Sequence, residues 1–200
     1  MSGITLATED ELSEQVGLCL AAEVGLHAHQ CLRRGGSGYL RSRVDNFCRM
    51  AAREPVVLIT DLDQSTCAPA LIADWLQGAA QPAGFVFRVA VREIESWLIA
   101  DHEGLRNLMG PRVRSLPENP DGLIDPKRTL LGIAEKAHRA VREDLVVRRH
   151  AIASQGLGYN AILCEMVRAQ WSPTRAAQRS PSLARTRQRL RELATRLAPR

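Results

Sequence analysis

The sequence predicts an α/β protein built on a parallel four-stranded sheet, with a helical segment at its C-terminal end. Three observations predict it. Val56-Val57-Leu58-Ile59-Thr60 is a continuous apolar run between Pro55 and Asp61, the pattern of a strand buried on both faces of a parallel sheet. Strand-like runs alternate with helix-like stripes up to Ala100, the order that gives parallel pairing through right-handed crossovers. Past Gly110 the alternation stops: prolines 111, 117, 120 and 126 interrupt the chain, and only helical patterns follow.

Ile4 to Thr8 is a short β-prone run that ends in Glu9-Asp10-Glu11. Leu12, Val16, Leu20 and Val24 then form an i, i+4 stripe with Glu11, Glu14, Gln15 and Glu23 off it, an amphipathic helix stopped by Gly25. Leu26 to Leu32 is the second strand, its period-two pattern blurred by His27, His29 and Cys31. Gly35-Gly36-Ser37-Gly38 breaks the chain before a helical stripe of Tyr39, Val44, Phe47, Cys48 and Ala51. After the central strand a helix follows Pro69, with Leu71, Ile72, Trp75 and Leu76 inward. Phe85 to Val91 is the fourth strand and leads directly into a helix from Glu93 to Ala100.

The second half reads differently. Asp125-Pro126 has the form of an N-cap followed by proline at the first helical position and opens a helix expected to reach about Val147. Another helix is expected from about Gly158 to Trp171, and Ser180-Pro181 opens an arginine-rich helix over Ser182–Leu197. The economical division is an α/β core over residues 1–108 and a helical lobe over 109–200.

Composition removes several classes of protein. Forty-five per cent apolar and 24% charged residues exclude wholesale disorder. No apolar run approaches the ~18 residues of a membrane span, and Met1–Asp10 lacks the basic and apolar regions of a signal peptide, so a cytoplasmic protein is expected. The five scattered cysteines form no CxxC pair, which argues against a structural zinc site and a disulfide framework.

The net charge of +5 conceals an asymmetry. From Pro173 to Arg200 there are eight arginines against Glu192 alone, or +7, which leaves the preceding residues with nineteen basic and twenty-one acidic side chains, or −2. Leu183, Leu190, Leu193 and Leu197 give the terminal helix an apolar stripe, and Arg185, Arg189, Arg196 and Arg200 lie roughly together on it. That row is expected to meet nucleic-acid phosphates, as a basic clamp beside an acidic site; a solvated face or a partner-docking face are the alternatives.

In a parallel sheet, ligands bind beyond the carboxyl ends of the strands. That rule selects Glu9, the Asp61/Asp63 pair and Glu93/Glu95, five carboxylates at one sheet edge. Clustered carboxylates repel one another unless protonated or bound to cations, and oxygen-only donors suit Mg²⁺ or Mn²⁺. Two such ions would clamp a phosphodiester for displacement chemistry. Each residue also has a local reading: Asp-x-Asp as a helix cap and Asx-turn, Glu93 and Glu95 as first-turn acids favoured by the helix dipole, Lys127 as a solvated helix-start residue.

Glu9 with Ser13-Glu14 in the following helix, and Asp61-Leu62-Asp63 after the central strand, resemble a TOPRIM domain, the module of topoisomerases, primases and OLD-type nucleases. More closely, "VVLITDLDQSTC", "FRVAVREIESWLIAD", "LIDPKRTLL" and "SPSL" are similar to a bacterial group of small stand-alone TOPRIM-like proteins, whose genes often lie beside an ATPase gene in settings suggestive of phage defence. The resemblance implies that Glu9 is a metal-linked acid/base residue and that Asp61 and Asp63 hold Mg²⁺. It also implies that Glu95 joins the same site with Glu93 beside it, and that Lys127 contacts a phosphate. The glycine usual after the TOPRIM glutamate is Asp10 in this chain.

The function expected is therefore a Mg²⁺-dependent nuclease acting on DNA or RNA with an ATPase partner. Two alternatives stand beside it. One is a non-catalytic TOPRIM-shaped adaptor or regulator of an ATPase. The other is a haloacid-dehalogenase-type phosphatase, because Asp61-Leu62-Asp63-Gln64-Ser65 fits that nucleophile motif, although such enzymes carry it on their first strand. Gly35 to Gly38 lacks the Gly-Lys-Ser/Thr ending of a Walker loop, and no HExxH spacing occurs among the five histidines.

Overall fold

Strands β1 (Ser2–Thr8), β2 (Leu26–Arg33), β3 (Val56–Asp61) and β4 (Phe85–Ala90) form one all-parallel sheet in the order β2-β1-β3-β4. This computed structural model describes residues 2–33, 35–147 and 155–198. The sheet is open, flanked by helices and Rossmann-like in its layering. β3 takes a central position because Val56 to Thr60 are all buried, as a run without polar alternation requires.

The order of the strands fixes where a site can form. The chain steps from β1 outward to β2, returns across the sheet to β3, and continues away from it to β4. The direction of winding thus reverses between β1 and β3, whose register runs from Thr5 opposite Val56 to Thr8 opposite Ile59. A crevice opens at such a switch point beyond the carboxyl ends of the two strands.

Helix α1 (Glu11–Glu23) covers one face of the sheet, and α2 (Gly36–Ser42), α3 (Val44–Met50) and α4 (Ala68–Leu76) cover the other. Gly17 lets α1 sit close to the strands: a Cβ there would come within 2.9 Å of the Leu6 side chain. The stripe from Tyr39 to Ala51, expected as one helix, is two, because the backbone opens at Arg43 (φ −108°, ψ 0°). Helix α5 (Ile94–Ala100) is buried at every position, Glu95 included.

The remaining helices are α6 (His102–Met109), α7 (Pro126–Ala134), α8 (Arg139–Leu145), α9 (Tyr159–Ala169), α10 (Pro173–Ala176) and α11 (Pro181–Leu197). They complete the layer on the α1 face, where one buried apolar cluster runs from Ile4 to Leu193. The helix expected from Pro126 to Val147 is divided. His138 turns extended and donates its N–H to the Met109 carbonyl at 3.0 Å, so the chain follows the end of α6 before α8 starts. The capping signals hold: Asp125 accepts from the Arg128 amide at 2.7 Å, and Ser180 from the Leu183 amide at 3.2 Å. Trp75, Trp97 and Trp171 are all buried, as their apolar faces predict.

Asp101, between α5 and α6, fastens α10 to them. It is fully buried, accepts from Arg175 at Nε (2.7 Å) and Nη2 (2.8 Å), and receives the Ser172 amide at 2.7 Å. Among the described residues no helix is long and apolar enough to cross a membrane.

Candidate functional site

Glu9 follows β1 and Asp61 ends β3, so the two carboxylates flank the switch point. Glu9 Oε1 accepts the Asp61 amide at 2.9 Å and the Thr60 hydroxyl. Thr60 is buried on the central strand, so both donors are held by the sheet itself. Burial raises the pKa of Glu9 above the usual carboxylate value, against the lowering effect of these two hydrogen bonds, and Asp63 and Asp10 add repulsion.

Asp61 is strongly perturbed as well. Burial, then the charges of Glu9, Glu95, Asp10 and Asp63, push its carboxyl well above the ordinary range. Every leading influence on it acts in the same direction. Repulsion of this kind favours either the protonated carboxyl or a bound cation.

Asp63 sits at the exposed tip of the loop in left-handed backbone (φ +48°), a conformation that aspartate tolerates better than most residues. Arg92 fixes that tip. Its carbonyl receives the amides of Leu62 (2.8 Å) and Asp63 (3.0 Å), and its Nη1 donates to the Asp63 carbonyl at 2.7 Å. Asp10 caps α1: its Oδ1 accepts the Ser13 amide at 2.8 Å.

Glu93 and Glu95 separate in role. Glu93 Oε2 accepts the Lys127 amide at 2.9 Å, joining the start of α5 to the start of α7, where the helix dipole favours an anion. Glu95 is buried and accepts the Tyr159 hydroxyl at 2.8 Å. Burial raises the pKa of both acids and also that of Tyr159, whose phenol is raised further by Glu95 and remains a donor. Lys127 lies with Nζ 5.1 Å from the centre of the Tyr159 ring, a cation–π contact at the rim of the same site.

Among the described residues, no three His, Cys, Asp or Glu side chains are gathered closely enough to form a metal cage. The donor chemistry nonetheless fits Mg²⁺ or Mn²⁺. Such ions keep several waters and are commonly bound through one or two carboxylates, and Glu9 and Asp61 are neighbouring oxygen donors.

The structure does not bring the arginine row to the carboxylates. Trp97 Nε1 donates to Ser182 at the start of α11, while Arg189 and Arg196 line a groove with Phe85 to Arg88. Helix α11 therefore runs against the direction of β4, and its later arginines reach the start of that strand, whereas the carboxylates lie past its end. Six β-residues separate the two ends by ~20 Å. Apolar packing decides this: Leu183, Leu190 and Leu193 must stay on the sheet, and the arginines follow the helix. Arg185 is exposed, Arg189 is paired with Glu192 at 2.7 Å, and Arg200 lies outside the described residues. Arg187 is buried by its ion pair with Glu23, Nε to Oε2 at 2.9 Å.

The basic groups near the site are different ones. Arg41, Ser37, Ser65, Asp61 and Asp63 line one small cavity of about 190 Å³, with Trp75 at its side. Arg41 pairs with Asp74 at 2.9 Å. Tyr159 and Arg41 escaped the sequence reading because no motif or spacing marks them; Arg92 lies within the run FRVAVREIESWLIAD, where the neighbouring carboxylates drew the attention.

No family model, no curated protein and no solved structure matches this chain.

Proposed function

We propose that this chain is a TOPRIM-type nuclease that cleaves phosphodiester bonds of DNA or RNA with Mg²⁺ or Mn²⁺, works with a partner ATPase and serves in phage defence. The observation that carries the reading is the placing of Glu9 and Asp61 together at the reversal of strand order, where Glu9 accepts the Asp61 amide at 2.9 Å and the two carboxylates repel each other. Asp61 with Glu9 or Asp63 would hold the ion, water completing its shell, with Glu95 behind them. A divalent cation bound there supplies positive charge against the scissile phosphate.

The chain's own residues set the remaining conditions. Glu9 is fixed through Oε1 by Thr60 and Asp61, which leaves Oε2 to take or give a proton, and its raised pKa brings that exchange closer to neutrality. Arg92 holds the loop that presents Asp63. Arg41 supplies a cation on the far side of the cavity, suited to a phosphate flanking the one cleaved. The test is cleavage of plasmid and tRNA with Mg²⁺ or Mn²⁺, with and without the ATPase. Loss of cleavage in the Asp61→Ala/Asp63→Ala double variant is expected; equal cleavage by that variant contradicts the assignment.

A second reading, a non-catalytic adaptor, has one observation in its favour: Glu95 and Glu93 are both engaged by groups of the C-terminal segment, the Tyr159 hydroxyl and the Lys127 amide. Tight binding of an ATPase partner, indifferent to substitution of Asp61 and Asp63, would favour it. The phosphatase motif belongs on a first strand, and Asp61 ends the third in chain order.

A further inference from the structure

Away from the carboxylates, a groove of about 690 Å³ runs along the free edge of the sheet. Its floor is the first part of β4, Phe85 to Arg88; Ile72 of α4 stands on one side and the later half of α11 on the other. Among the described residues β4 pairs only with β3. Val56 donates to the Gly84 carbonyl and Leu62 to the Ala90 carbonyl, so the even-numbered residues of β4 face β3 and the backbone groups of Phe85, Phe87 and Val89 point to the free edge. The loop before β4 already occupies Phe85, whose N–H donates to Pro82 at 2.9 Å and whose carbonyl accepts from Gln81 at 2.6 Å. Phe87 is left with its outward pair open to the groove.

The two walls differ in chemistry. Phe87 lies in the apolar cluster on the α4 side, and Ile72 packs against that cluster. The α11 side carries Arg88, Arg189, Arg191 and Arg196 against Glu192 alone. Arg88 is half-buried, its Nε near the Thr186 hydroxyl at 3.4 Å, and among the described residues neither Arg88 nor Arg196 has a carboxylate within salt-bridge distance. Arg189 is paired with Glu192 and Arg191 lies 3.6 Å from Glu23, so Arg88 and Arg196 leave the wall net positive; burial and the charges of Arg189 and Arg185 lower the pKa of Arg88, against Glu192.

We infer that this groove binds an extended, acidic segment of a partner protein, added beside β4 at Phe87, with alternate apolar and acidic side chains. The alternation follows from strand geometry: successive side chains of an added strand point to opposite faces, one toward Ile72 and the next toward the arginines. Single-stranded nucleic acid fits less well, because Phe85 and Phe87 are buried beneath the floor and offer no exposed ring on which bases stack. The inference does not depend on the nuclease reading.

The test is fluorescence anisotropy on the full chain with a labelled eight-residue peptide alternating leucine and glutamate. Comparison probes are a peptide of the same composition in two blocks and a single-stranded oligonucleotide of equal charge. The alternating peptide is expected to bind tightest, to lose about tenfold in affinity with Arg189→Glu/Arg196→Glu, and to lose similarly with Ile72→Asp. Circular dichroism and thermal melts confirm that the variants are folded. Equal binding of the block peptide, tighter binding of the oligonucleotide, no peptide binding, or binding unaffected by either variant would overturn it.

Discussion

The Tyr159 hydroxyl donates to Glu95 Oε1 across 2.8 Å, joining the first residue of α9 to the first turn of α5, 64 positions apart in the sequence. Both groups are buried, so the bond determines how a carboxylate beside the site is charged and oriented. Tyr159→Phe removes the one side-chain donor that lowers the pKa of Glu95. Urea unfolding of this variant is expected to show a loss of about 1.5–3 kcal/mol, with a larger deficit at pH 8 than at pH 5, because a donor matters more to the ionised carboxylate than to the protonated acid. An equal loss at both pH values would count against this role.

Stability should also fall as pH rises through the range above ordinary carboxylates. Glu9, Asp61, Glu93 and Glu95 all have folded pKa values raised, chiefly by burial. The unfolded chain gives up these protons at lower pH, so between the unfolded and folded values the native state binds more protons and loses stability with each rise in pH. In metal-free buffer the chain is expected to be more stable at pH 5 than at pH 8, and Asp61→Asn to be more stable than wild type at pH 8. Denaturant titrations at the two pH values check both.

Much of the fold is legible because it rests on local pattern. The Val56–Thr60 run fixes the central strand, and Ser180-Pro181 fixes the start of α11. Glu9, Asp61 and Asp63 are legible for the same reason: each follows a strand end. Partnerships across the chain are not. Nothing near Glu95 announces Tyr159, and nothing near Glu93 announces the Lys127 amide. The terminal charge of +7 is plain in the sequence, but its place depends on which way the leucine stripe of α11 lies along β4, and it lies with its later arginines away from the acids.

Asp101 tests whether the C-terminal helices are fastened as described. Asp101→Ala leaves Arg175 without its buried partner and frees the Ser172 and Gly104 amides. The expected cost is about 3–5 kcal/mol in chemical denaturation. A loss below ~1 kcal/mol would indicate that the pair contributes little to holding α10 against α5 and α6.

Arg41 addresses substrate holding separately from chemistry. If its guanidinium grips a flanking phosphate, Arg41→Ala raises KM about tenfold and leaves kcat nearly unchanged, and Arg41→Lys recovers part of the loss. A fall in kcat with KM unchanged would place Arg41 at the reacting phosphate instead.

The central claim is that Glu9 and Asp61, facing each other across the switch point, hold a divalent cation. A crystal soaked in Mn²⁺ and measured at the manganese absorption edge tests it most directly. The account predicts an anomalous peak in contact with Asp61 and at least one of Glu9 and Asp63, lost in the Asp61→Ala variant. A wild-type crystal with manganese bound elsewhere, and none at this pair, would contradict it.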